Sequence, residues 1–174
     1  MTVLSFDGVT PSIDESAFVA PGATIIGRVT LGRESSIWFQ CVARGDINSI
    51  TIGEQTNIQD GCMLHVTHRY GLVVKNRVTV GHGAILHGCH IEDDSLIAMG
   101  AIVLDGAIIG AGSLVAAGTL VPPRMDVPAG SLVMGSPGKV IRQLTQEDRE
   151  RAMKGWKNYV GYAQAYKTQL GSEV

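Results

Sequence analysis

Aromatic side chains are scarce in this chain: three Phe, two Trp and four Tyr among 174 residues. A core built on large rings is thereby excluded. The high apolar content must come from Val, Ile, Leu and Ala, in an architecture that stacks small aliphatic side chains. Charge of one sign is also lacking. The net charge is −2, so bulk electrostatics makes no case for nucleic acid or a membrane as partner. Cysteine is limited to Cys41, Cys62 and Cys89, with no CxxC pair. That argues against a disulfide framework and suits a reducing compartment. No run approaches ~18 apolar residues, and Met1–Asp7 shows no basic region followed by an apolar stretch. These absences predict a soluble, cytoplasmic protein of one domain with a short appendage. Gly is abundant, at 22 residues, but without the Gly-X-Y period of collagen.

What is present is a period of six. Residues 1–12 read as an extended lead-in. An aliphatic residue then recurs at Ile13, Val19, Ile25, Leu31 and Ile37. The phase slips in Val42–Asp46, resumes at Ile52, Ile58 and Leu64, and returns after an interruption at Val80 and Leu86. One residue is dropped, and the pattern then runs through Ile91, Ile97, Val103, Ile109, Val115, Val121, Val127 and Val133. Neither a helix nor an alternating strand has this period. It belongs to a repeat architecture in which six residues make one short strand plus a turn, and three such sides close a triangular coil. Coils stack by parallel pairing at about 4.8 Å, so stability is nearest-neighbour in character. The fold class is therefore all-β, a parallel β-helix over residues 1–143. Pro122, Pro123, Pro128 and Pro137 cluster where the coils end. Thr145 to Asp148 resembles a capping box with Asp in place of Glu. The segment 144–174 is expected to supply a C-terminal α-helix, about Gln146–Gln169, with Met153, Trp156, Val160, Ala163 and Tyr166 on one face. It would cover the flank of the prism or pack on a neighbouring subunit.

All five histidines fall in two windows, Leu64–His68 and Val80–His90. His65 and His87 each follow an inward Leu. If Thr67–Gly71 bulges outward and pairing resumes near Leu72–Val74, the two histidines lie on one face, one coil apart. His82 sits on the preceding side and would point away from them within one chain. In a threefold trimer it would join His65 and His87 of a neighbour, which predicts three metal sites at subunit interfaces. Three imidazoles plus an open position is the catalytic zinc arrangement, giving hydroxide at neutral pH. The same counting places Asp60 one coil below His82, with Gln59 beside it. Arg44 and Asp46 fall about one coil below His65. Gln59 would hydrogen-bond the metal-bound water or an anion, while Arg44, Asp46 and Asp60 read equally as interfacial ion pairs. His68 is either a proton relay or a solvated loop residue. Cys62 and Cys89 are a competing soft ligand pair or small core residues.

These segments resemble the gamma-class carbonic anhydrases: Arg44-Gly45-Asp46, Asn57-Ile58-Gln59-Asp60-Gly61, Leu64-His65, Val80-Gly81-His82 and Leu86-His87-Gly88, with Asn158-Tyr159 in the helix. The resemblance implies a left-handed β-helix, a homotrimer, and zinc (or iron or cobalt) held by His65, His82 and His87. It implies that Arg44 and Asp46 form an intersubunit network, that Asp60 pairs with Arg44, that Gln59 contacts metal-bound solvent and that Tyr159 lines the site. The implied reaction is metal-hydroxide attack on CO2 to give bicarbonate. Two departures stand out. Ile47 occupies the place of a Glu, and Val66–Gly71 replaces a longer acidic loop that carries a proton-shuttling Glu. Other readings are acyl transfer from CoA esters, which needs one intersubunit histidine rather than three, thioester hydrolysis, and a non-catalytic, metal-stabilised assembly subunit.

Overall fold

The computed structural model describes residues 1–171; residues 172–174, to which the expected helical segment extends, lie outside the described residues. The chain winds as a parallel β-helix with three sides. The first side stacks Phe18–Val19, Ser36–Ile37, Asn57–Ile58, Thr79–Val80, Leu96–Ile97, Leu114–Val115 and Ser131–Gly135, all in parallel. Gly138–Gln143 then folds back antiparallel on the last of these. The second side carries Met63–His65, Ile85–His87, Ile102–Val103 and Leu120–Val121. The third carries Leu72–Val74, His90–Ile91, Ile108–Ile109 and Asp126–Val127. The lead-in is not idle: Thr2–Leu4 pairs in parallel with Thr24–Ile26.

The six-residue aliphatic positions point inward. Ile25, Ile37, Ile58, Val80, Leu86, Ile91, Ile97, Val103, Ile109, Val115, Val121 and Val133 are fully buried, whereas Ile13 and Val19 at the open end are only partly so. The phase slip is one long strand, Val42–Ile52, which rounds a corner. Its first half pairs with Met63–Leu64 and its second with Leu72–Val74. Ala43 takes the inward place there. The dropped residue shortens one coil, so Leu86 stacks on Val103. One corner column is held by small residues, with Ala23, Cys41, Cys62, Ala84 and Ala101 all buried. Gly83, at φ +67°, turns the chain immediately after His82. No atom lies near its missing Cβ, so the backbone conformation, not space, calls for glycine here.

The helix α1 spans Gln146–Gly171. Its start is the expected capping box: the Asp148 N–H donates to Thr145 Oγ1 at 3.2 Å, and the Thr145 N–H donates to Asp148 Oδ2 at 2.9 Å. The helix returns along the first side toward the N-terminal end, where Lys167 Nζ donates to the carbonyls of Glu15 and Ala17. Its packing face is the expected one at Trp156 and Val160, which are half-buried, at Ala163, which is buried, and at Tyr166, and departs from it at Met153. Ala152 is buried where Met153 is exposed, and the helix lies close at Gly155, where a Cβ would stand 2.9 Å from Thr79 Oγ1. The stripe is broader than expected, and takes in Tyr159. The scarce aromatic residues gather in this seam: Phe18, Trp38, Phe39, Tyr159, Tyr162 and Tyr166 are six of the nine. Trp38 meets Tyr159 edge-on at 5.1 Å and Tyr166 at 5.3 Å. Tyr166 remains part of the packing through its ring although it is also exposed.

Candidate metal centre

His65 and His87 occupy the same place in adjacent strands, paired in register. The extra residues between them leave at the corner after Val66. The Thr67 N–H donates to the Tyr70 carbonyl and the Tyr70 N–H to Thr67 Oγ1, which closes the bulge. Tyr70 then lies close against Gly88 and Gly106, 3.0 Å from where a Cβ would stand at each. His65 Nδ1 stands 3.0 Å from His87 Nε2. The outer nitrogens face carboxylates: His87 Nδ1 is 2.5 Å from Asp105 Oδ1, and His65 Nε2 is 3.1 Å from Asp46 Oδ1.

This row of four groups has a proton deficit. Carboxylates only accept, so each neutral imidazole spends its one N–H on its carboxylate. Two bare lone pairs are then left facing each other 3.0 Å apart. A third proton or a shared cation relieves that repulsion. The donor set thus fits a divalent ion at the inner nitrogens, with the carboxylates fixing the tautomers.

His82 lies on the turn after the first side, with Nδ1 2.8 Å from Asp60 Oδ2. Its Nε2 is left for another partner. The chain does not bring His82 to the other two histidines, and no group of three metal-binding side chains forms among the described residues. Between the two histidine corners runs the outward face of the second side. Met63 and Ile85 are exposed on it, at 49% and 38%, and Ile102 and Leu120 continue the apolar stripe.

Arg44 pairs with Asp46 two residues along the same strand. The Asp60–Arg44 pairing implied by the resemblance does not form within the chain; Asp60 is turned to His82. Burial raises the Asp46 pKa, but hydrogen bonds from Arg44, His65 and the Ile47 N–H outweigh it and bring it down to about 2. Gln59 is buried, and its Nε2 donates to Asn57 Oδ1 at 3.1 Å. Asn57 in turn donates to Thr79 Oγ1 at 3.1 Å. Gln59, His82 and Tyr159 line one cavity. Burial, then the Asp60 carboxylate, pushes the Tyr159 hydroxyl up, so it remains a neutral donor.

Other residues are placed elsewhere. His68 is exposed in the bulge, and its carbonyl accepts from Asn48 Nδ2. His90 faces Glu92 on the third side. Cys62 and Cys89 stand at different corners, both buried, and do not form a ligand pair. Cys41 hydrogen-bonding raises the Cys62 thiol, and burial raises that of Cys89. Asp105 was not among the sequence candidates. It lies one coil on from His87, across the shortened coil that stacks Leu86 on Val103, so the regular spacing does not mark it.

Residues 88–123 match the family described as bacterial transferase hexapeptide (six repeats), which fits the left-handed form of the β-helix. The mitochondrial gamma carbonic anhydrase 2 of Arabidopsis thaliana is 41% identical over 97% of this chain and 63% of its own length. The chain therefore spans rather less than two thirds of that relative. A probable carbonic anhydrase of Methanocaldococcus jannaschii is 47% identical over 85% of the chain and 93% of its own length. Among solved structures, a candidate acetyltransferase from Bacillus cereus superposes with a TM-score of 0.95 at 46% identity, covering 97% of this chain and 98% of that one. The mitochondrial gamma carbonic anhydrase 3 of Arabidopsis thaliana is 45% identical over 97% of this chain and 67% of its own length, and this chain belongs to the gamma carbonic anhydrase family.

Proposed function

We propose that the protein interconverts CO2 and bicarbonate at a divalent metal site, zinc first (iron or cobalt as alternatives), shared between subunits of a homotrimer. The observation that carries this reading is the pair of ring nitrogens of His65 and His87 facing each other at 3.0 Å at one border of an exposed apolar stripe, with His82 at the other. Apposing that stripe against a second copy buries Met63 and Ile85 and brings His82 of the partner subunit toward the pair. A bound ion supplies Lewis acidity, lowering the pKa of a bound water to about 7. Asp105 and Asp60 hold protons on Nδ1 of His87 and His82 and leave Nε2 of each as a donor atom. Gln59, its amide fixed by Asn57, orients a small polar reactant, and Tyr159 presents its hydroxyl to the same cavity. Arg44 and Asp46 brace His65 from outside and stand ready for intersubunit contacts. Three buried free thiols support a reducing compartment, the cytoplasm. No helix among the described residues is long and apolar enough to cross a membrane.

A second reading, acyl transfer or thioester hydrolysis on CoA esters, is favoured by the close superposition on the Bacillus cereus candidate acetyltransferase. Stopped-flow CO2 hydration on protein of quantified metal content, with His82→Ala alongside, separates the two. Hydration that disappears together with the metal in His82→Ala is the expected result. Full metal occupancy without hydration defeats the carbonic anhydrase reading and directs the assay to acetyl-CoA turnover. Metal-dependent stability with neither activity leaves a non-catalytic assembly subunit.

A further inference from the structure

The cavity at Gln59, His82 and Tyr159 is much larger than a triatomic substrate needs. It measures about 540 Å³, within the roughly 300–1,000 Å³ of sites that hold organic ligands. It is also elongated and two-faced. The outward column of the first side runs Ser36, Asn57, Thr79, Leu96, Leu114, turning from polar to apolar just past the coil of His82. The helix α1 packs on the coils of Phe18, Ser36, Asn57 and Thr79. Alongside Leu96 and Leu114 a cleft opens instead, walled also by Ala98, Met99 and Ala116. From the coil of Gln59 to that of Ala116 is three coil spacings of about 4.8 Å, roughly 14 Å. At the far end Asp148 is engaged by Arg142 and Thr145.

We propose that this cleft takes an extended aliphatic chain ending in a carboxyl or acyl carbonyl group. The polar end lies at Gln59, His82 and Tyr159, and the methylenes run along Leu96 and Leu114. The inference deepens the reading above by naming a class of ligand for the same site, aliphatic acids and their acyl esters. It rests on that reading only for the position of the polar end. The argument is the match of polarity: free hydrogen-bonding groups sit at one end and, apart from Asp148, which Arg142 and Thr145 already engage, an aliphatic wall fills the remainder, so a wholly polar or wholly apolar ligand would leave one part unsatisfied.

Calorimetric titration of the full chain with octanoate and with acetate tests it. Each buried methylene tightens binding by about two- to fourfold, so octanoate should bind at least about 50-fold more tightly than acetate. Ala116→Phe fills the cleft from a half-buried turn position, and Leu114→Asp puts charge in its wall. Both are expected to abolish the preference for octanoate, with cooperative melting as the check on folding. Equal affinity for the two acids overturns the proposal, as does a preference unchanged in both folded variants. A segment of a second copy seated in the cleft would exclude octanoate and overturn it in the same way. The readout is heat of binding, so a protein inactive toward CO2 leaves the calorimetric result standing on its own.

Discussion

His65 and His87 stand 22 residues apart in the chain, yet their facing ring nitrogens are 3.0 Å from each other. A regular coil would have offset them by four residues and turned one away. The bulge closed by Thr67 and Tyr70 absorbs the difference, and parallel register does the rest.

The Asp105 carboxylate fixes the His87 tautomer from one coil further on. Its replacement in Asp105→Ala is expected to weaken metal retention by about 10- to 100-fold while leaving the fold intact. Metal content after graded chelator competition reads the first effect, and circular dichroism melting the second.

The stripe of Met63 and Ile85 is expected to be the subunit seam. Ile85→Glu places an unpaired charge in an apolar surface meant to be covered by a neighbouring copy, so it should give monomers by sedimentation velocity. If the site is shared, those monomers also lose their metal. Monomers that keep the full complement would show that each chain holds its ion alone.

The approach of Gly155 to Thr79 sets the distance between helix and prism. Gly155→Val forces a shift of the helix and should cost about 1–3 kcal/mol. The displaced seam is read by fluorescence of Trp38, which packs on Tyr159. Ile97→Ala, by contrast, empties a fully buried coil position and should cost about 2–5 kcal/mol without moving that fluorescence.

Asp148 is held below the ordinary carboxylate range, chiefly by the Arg142 guanidinium and then by Thr145. A carboxylate lowered on folding adds stability above its unfolded pKa, near ~3.9, and that stability is lost as pH falls toward the folded value. Helix docking should therefore weaken below about pH 4. Asp46, lowered to about 2, adds acid sensitivity of the same sign. The difference between the parent and Asp148→Asn in acid titrations isolates the contribution of the cap.

Much of this architecture was legible because the repeat reports one residue per side. From Ile91 to Val133 the period alone places every inward residue. It also places His65 above the Val42–Asp46 segment and His82 above Asp60, since stacking makes sequence offset a measure of height. What the period does not carry is anything perpendicular to the stack. The burial of Ala152 in place of Met153 and the close approach of Gly155 to Thr79 have no signature in amphipathic spacing. Asp105 has no such mark, because the dropped residue between Leu86 and Ile91 shifts it one place from the regular stacking position above His87. The meeting of His82 with the other two histidines belongs to an assembly, and one chain's pattern gives only the faces that would meet.

Because α1 returns along the prism it has just completed, the chain carries two rulers side by side. A coil rises by about 4.8 Å, and a helical residue by about 1.5 Å, so one coil is as tall as roughly three helical residues. Tyr159 arrives beside Trp38 and the Gln59 cavity only because the number of regular coils after His87 matches the helix length between Thr145 and Tyr159. Deleting a single 18-residue coil beyond Asp105, such as residues 109–126, would leave every histidine and its carboxylate in place. It would still slide Tyr159 past its station, unless about three residues were also removed from the first turns of the helix.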